Sequence, residues 1–181
     1  INKIISYFKK QKIKYFILRE PGGSKNSEII RNLILKKKNE FNNETDLFLY
    51  MASRSENIAL IKENLKKKIV LIDRFVDSTL AYQHYGMGIN KKFIINLNRA
   101  TLKKIKPSFT FLNIVNMKNL KFRLNKRKKN RYDKFSHSFY NKVQKGFIKL
   151  SKNNNKYMII NSNKSISENK RIILNKINSI I

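Results

Sequence analysis

Asp73 and Arg74 stand directly behind a short apolar run, Ile69-Val70-Leu71-Ile72, and Ser78, Thr79, Tyr82 and Gln83 follow within little more than a helical turn of one another. An acid and a guanidinium delivered together to a strand end suit the capture and neutralisation of an anion. The guanidinium fork matches two phosphate oxygens at once, and its charge persists at any working pH. Taken alone, an Asp-Arg pair reads as an ordinary ion pair. The hydroxyls and amide converging behind it turn the reading toward a binding site, because residues three and four apart share a helical face. Gly86 and Gly88 then end the helix.

Two further groups could take part. Arg19-Glu20-Pro21-Gly22-Gly23 closes the run KYFIL (residues 14–18), where proline cannot continue a ladder and paired glycines permit a tight turn. The segment reads equally well as a plain strand-to-helix turn. Tyr50 and Arg54, four apart on a long helical segment, share one face. Spacing alone favours a core tyrosine and a surface arginine there. His84 and His137 lie apart from each other and from further ligand types at metal spacing, so both read as non-catalytic and no metal site of protein ligands is expected.

The stretch DRFVDSTLAYQ closely resembles the thymidylate kinase signature, in which an Asp-Arg pair, a Ser-Ser/Thr-x-Ala-Tyr-Gln run and a glycine-containing turn hold the nucleotide. REPGG resembles the second-strand motif of the bacterial-type enzymes. Tyr50 and Arg54 match the family's FxxxR element, with Tyr in place of Phe; stacking survives that exchange, since both rings offer a flat apolar face. Asn130-Arg131-Tyr132-Asp133 resembles the lid motif, with Asn where the family often has Asp and Asp where it has Glu.

The resemblance covers nearly the whole chain and implies transfer of the γ-phosphoryl group of ATP to dTMP, with Mg²⁺ bridging phosphates. It implies that Arg19 approaches the monophosphate and that Arg54 and Arg74 hold it, with Asp73 orienting Arg74 or a magnesium-bound water. Tyr50 would stack on thymine, Ser78 would help hold the nucleotide, and Thr79, Tyr82 and Gln83 would read the base edge and crowd the sugar. Arg131 would neutralise transition-state charge from the lid, with Arg127 a second candidate for contacting ATP. A homodimer and a cytoplasmic location are also implied.

The elements that must position these residues alternate. Strands end near Leu18, Ile72, Val115 and Ile160, the run 69–72 reading as buried on both faces. Helical spacing covers residues 1–13, 24–38, 44–67, 90–104, 117–129, 135–150 and 165–181, with Ile29, Ile30, Leu33 and Ile34 forming one apolar face and Leu47, Phe48, Met51, Ile58, Ile61 and Leu65 another. The fold class is therefore α/β, a parallel sheet with right-handed crossovers. By resemblance it is a P-loop NTPase-like three-layer sandwich, one domain over residues 1–181 with a helical lid at about 117–135.

Composition narrows the class. Lys+Arg 41 against Asp+Glu 11 gives +30, a balance that alone suggests a nucleic-acid partner. The excess is mostly lysine, spread from end to end, and Asn and Ile are inflated with it; these three share A/T-rich codons, so a biased genome is the simpler cause. No specific nucleic-acid partner is expected. Cysteine is absent, which excludes disulfides and thiolate metal sites. No apolar run is long enough to span a membrane, and residues 1–12 lack a signal peptide's apolar core.

One family feature is missing. No G-x-x-x-x-G-K-[ST] loop occurs among these residues, and the resemblance begins one strand late. The expectation is an N-terminally incomplete kinase whose sheet lacks its first, central strand. The alternatives are a catalytically inactive nucleotide-binding remnant or a basic nucleic-acid-binding protein.

Overall fold

Among the described residues, four five-residue strands form where the sequence carries its short apolar runs: β1 (Tyr15–Arg19), β2 (Ile69–Asp73), β3 (Thr110–Ile114) and β4 (Tyr157–Asn161). A computed structural model describes residues 1–126 and 130–181. β1 pairs with β2 in parallel, Leu18 opposite Ile72 and Arg19 opposite Asp73. β3 pairs with β4 in parallel, Asn113 opposite Ile160. Among the described residues no ladder joins the two pairs, which stand as two separate two-stranded sheets. β2 is half-buried along Ile69–Ile72 instead of buried on both faces.

The helices are α1 (Asn2–Lys10), α2 (Lys25–Leu35), α3 (Asn43–Leu65), α4 (Val76–Thr79), α5 (Lys91–Leu102), α6 (Met117–Asn125), α7 (His137–Ser151) and α8 (Ile166–Asn178). Their starts follow sequence chemistry. Ser24 caps α2 by accepting from the Ser27 N–H, and Asn42 caps α3 by accepting from the Thr45 N–H at 2.7 Å. Glu44 and Asp46 in the first turn of α3 sit where the helix dipole favours negative charge.

Between α4 and α5 the chain widens into a π-helix, Leu80–Gly86, with the Met87 N–H donating to the Tyr82 carbonyl at 2.9 Å. Such bulges concentrate at functional sites. Gly86 lets this segment approach α7, since a Cβ there would lie 2.6 Å from the Phe139 ring.

Leu18, Ile58, Ile61 and Leu102 form one core cluster and Leu47, Met51, Ile89 and Ile94 another. Ala81, Phe139 and Val143 form a third. The apolar faces predicted for α2 and α3 are wider than the core they meet: Ile29, Leu33, Phe48 and Leu65 are exposed, with Phe48 at 50% and Ile29 at 63%. Their helices turn these positions away from the strands.

Candidate active site

β1 and β2 end side by side, so their register delivers Arg19 and Asp73 together to one edge. That edge opens into a cleft of about 480 Å³, walled on the far side by Leu112 to Val115 of β3 and its exit. Arg19, Arg31, Asp73, Arg74, Tyr82 and Tyr132 all line it. Ligands of open α/β sheets bind outside the carboxyl ends of the strands, and this cleft lies there.

Arg74 follows β2 with φ at +67°, in the left-handed region that a side chain other than glycine's seldom occupies. Its guanidinium lies 4.6 Å from the centre of the Tyr82 ring. That distance is within cation–π range. Arg31, at mid-helix in α2, donates to the Pro21 carbonyl at 2.6 Å. Burial lowers the pKa of Arg31, and the positive charges of Arg19 and Arg74 lower it further, against the pull of Glu28. Three guanidinium groups thus line one cleft and repel one another, with Glu28 answering Arg19 at 2.9 Å. Such a cluster attracts an anion.

The aromatic wall is continuous. Tyr132 meets Tyr50 and Tyr82 edge to face, with ring centres 6.3 and 5.9 Å apart. Burial raises the pKa of the Tyr50 phenol, while the Arg74 charge and a hydrogen bond with Tyr132 draw it back. Tyr50 itself does not line the cleft; it stands behind Tyr132, within electrostatic reach of the Arg74 charge.

Other predicted residues stand elsewhere. Arg54 is 1% exposed, bonded through Nε to Glu20 at 2.8 Å, through Nη2 to Glu20 and through Nη1 to Asn98. It does not line the cleft. Burial raises the Glu20 pKa and the Arg54 attraction opposes this; Glu20 Oε1 is buried without a hydrogen-bond partner among the described residues. Thr79 is buried with its hydroxyl unpartnered among the described residues, and Ser78 is half-buried in α4.

Gln83 is buried and donates to Asp46 at 3.3 Å. Arg131, in a 3₁₀ turn spanning Arg131–Lys134, is also buried, ion-paired with Asp46 and bonded through Nε to the Ile34 carbonyl at 3.0 Å. It does not line the cleft. The helix expected to reach residue 129 ends as α6 at Asn125, and Arg127 lies outside the described residues.

Sequence reasoning missed Arg31. In a chain whose default basic residue is lysine, an arginine on a helix beside the REPGG turn was the available signal.

Comparison with protein families matches residues 1–173 to the description "Thymidylate kinase". The chain belongs to the thymidylate kinase family. It is 35% identical to a curated thymidylate kinase of Clostridium novyi, an alignment covering 93% of this chain and 85% of that one. It is 37% identical to one of Mycoplasma capricolum over 86% and 76% of the two chains. Among solved structures, a thymidylate kinase from Ehrlichia chaffeensis superposes with a TM-score of 0.75 at 27% identity, covering 97% of this chain and 88% of that one. Arg19, Glu20 and Pro21 line the cleft just described, as do Asp73 and Arg74.

Proposed function

We propose that the protein is a thymidylate kinase that takes dTMP at the β1/β2 edge and transfers to it the γ-phosphoryl group of ATP. The observation that carries this reading is the convergence of Arg19, Arg31 and Arg74 on one cleft beside the Tyr50–Tyr82–Tyr132 wall. A nucleoside monophosphate has matching parts, a dianion at one end and a flat base at the other. Arg74 and Arg31 hold the acceptor phosphate with Arg19 at the rim, and Tyr50 and its aromatic neighbours face the base. Arg54 supports the turn by holding Glu20, and Gln83 reads the base edge only from behind that wall.

Phosphoryl transfer asks a protein mainly for alignment of two polyanions and neutralisation of charge. Guanidiniums clustered along one cleft supply both. Residues 117–135 act as a lid whose basic side chains close over the ATP phosphates.

Mg²⁺ commonly takes one or two protein carboxylates plus substrate phosphates. Asp73, exposed at the cleft beside Arg74, fits as such a ligand or as the holder of a metal-bound water. When bound, the ion supplies further charge neutralisation.

A second copy of the chain is the occupant proposed for the exposed face of α2, α3 and α5. Ile29, Leu33, Phe48 and Phe93 are exposed there, and Phe48 meets Phe93 edge to face with ring centres 6.1 Å apart. Exposed apolar side chains of this size mark protein contacts where they adjoin one another, as Phe48 and Phe93 do.

Calorimetry with dTMP, dCMP and single-stranded DNA tests the reading. Saturable one-site binding of dTMP in preference to dCMP is the expected result. Salt-sensitive DNA binding with no dTMP site would replace the kinase by a polyanion-binding protein.

A further inference from the structure

Asp46 has no place in the motifs above, yet it is the most heavily used carboxylate in the molecule's interior. It sits in the first turn of α3, 1% exposed. Its Oδ1 takes Arg131, and its Oδ2 takes both the Tyr132 hydroxyl and the Gln83 amide. Three elements distant in sequence therefore meet on one side chain: α3, the π-helix and the 3₁₀ turn at the end of the proposed lid. Tyr132 in turn contacts Tyr50 and Tyr82 through its ring.

We propose that Asp46 is a positioning residue which fixes the lid's attached end to the base-facing wall of the cleft and sets the orientation of the Gln83 amide. The base-selecting part of this inference rests on the thymidylate kinase reading. A carboxylate accepts and never donates, so it admits only the NH₂ end of a glutamine. With that end turned to Asp46, the Gln83 carbonyl oxygen points away from it. Gln83 is buried and does not line the cleft, so this oxygen stands behind the aromatic wall; where a bound base reaches it, an acceptor suits the N3–H donor of thymine and opposes the bare N3 acceptor of cytosine. An asparagine at position 46 has nearly the same shape but both accepts and donates, so it leaves the Gln83 amide free to rotate. It also strands the Arg131 charge.

Two measurements on the full chain test this. In hydrogen exchange, Asp46→Asn should raise exchange of the amides at 130–135 and 80–86 well above its effect on the β3–β4 pair. Unchanged protection at 130–135 would overturn the joint. In calorimetry, Asp46→Asn should lower the ratio of dTMP to dCMP affinity about tenfold, the scale of one hydrogen bond to a charged group. A general weakening of the fold lowers both affinities and leaves their ratio alone, and an unchanged ratio would overturn the base-selecting role.

Tyr132→Phe, which removes one hydroxyl and keeps the ring, should move both readouts in the same direction by less, and serves where Asp46→Asn fails to fold. If the parent chain shows no dTMP preference, the kinase reading and the base-selecting role fall together, while the exchange experiment still decides the joint.

Discussion

Replacing Arg54 by alanine separates two roles for this residue, holding a substrate phosphate or holding the fold. Arg54 and Glu20 form an ion pair at 2.6 Å with side-chain exposures of 1% and 4%. Removing one partner of such a pair leaves a buried uncompensated charge and costs ~3–5 kcal/mol. The urea slope of a small protein is about 2 kcal/mol per molar, so the unfolding midpoint should fall by roughly 1.5–2.5 M. The deficit should depend on pH.

Burial already raises the Glu20 pKa above 4.5, so the folded state holds that proton more tightly than the unfolded chain does. Ionisation of Glu20 therefore costs stability as pH rises from its ordinary value through the raised one. Without Arg54 the main attraction opposing that rise is gone, and the window extends upward. Arg54→Ala should lose most at pH 8 and less at pH 5, where Glu20 can take up a proton. Arg54→Met with Glu20→Gln, which removes both charges, should recover most of the loss. The assay is urea unfolding followed by far-ultraviolet circular dichroism at the two pH values. A loss under about 1 kcal/mol, equal at both, would refute the buried-pair reasoning, since that is the ordinary value of a solvated pair.

Other perturbations follow from the same geometry. Arg74→Ala should weaken dTMP binding by roughly 10–100-fold, the scale of losing a charge-assisted contact, with little change in melting temperature. Arg31→Ala should weaken dTMP more than thymidine in calorimetry, because its guanidinium is assigned to the phosphate. Asp77, whose pKa is raised by burial and drawn down by its bond from the Tyr157 hydroxyl at 2.8 Å, gives a pH test. Tyr157→Phe should raise the Asp77 pKa further, so its stability deficit should be smaller at pH 4 than at pH 7 in thermal melts.

Local signals proved dependable where physics is local. The strand runs ended within a residue or two of their observed limits, and Ser24 capped α2 as its type suggests. The delivery of Arg19 and Asp73 to one edge followed from two strand ends and their parallel pairing. Non-local pairing was less visible. Nothing in the spacing of Tyr50 and Arg54 reveals that the arginine turns inward, because its partner Glu20 lies 34 residues away across a turn. The same holds for Arg131, whose carboxylate is 85 residues distant. Phe48 and Ile29 read as core because periodicity marks an apolar face without saying how far the core extends along it. The π-helix was invisible too, since residue types at 80–86 satisfy an α-helix equally well, and tertiary packing of Gly86 on Phe139 selects the wider turn.

A crystal structure of the protein with dTMP tests the central claim most directly. The 5′-phosphate should lie within hydrogen-bond distance of the guanidiniums of Arg74 and Arg31, with the base against the Tyr50–Tyr82–Tyr132 wall. A nucleotide seated elsewhere, with those guanidiniums facing only water, would contradict the account.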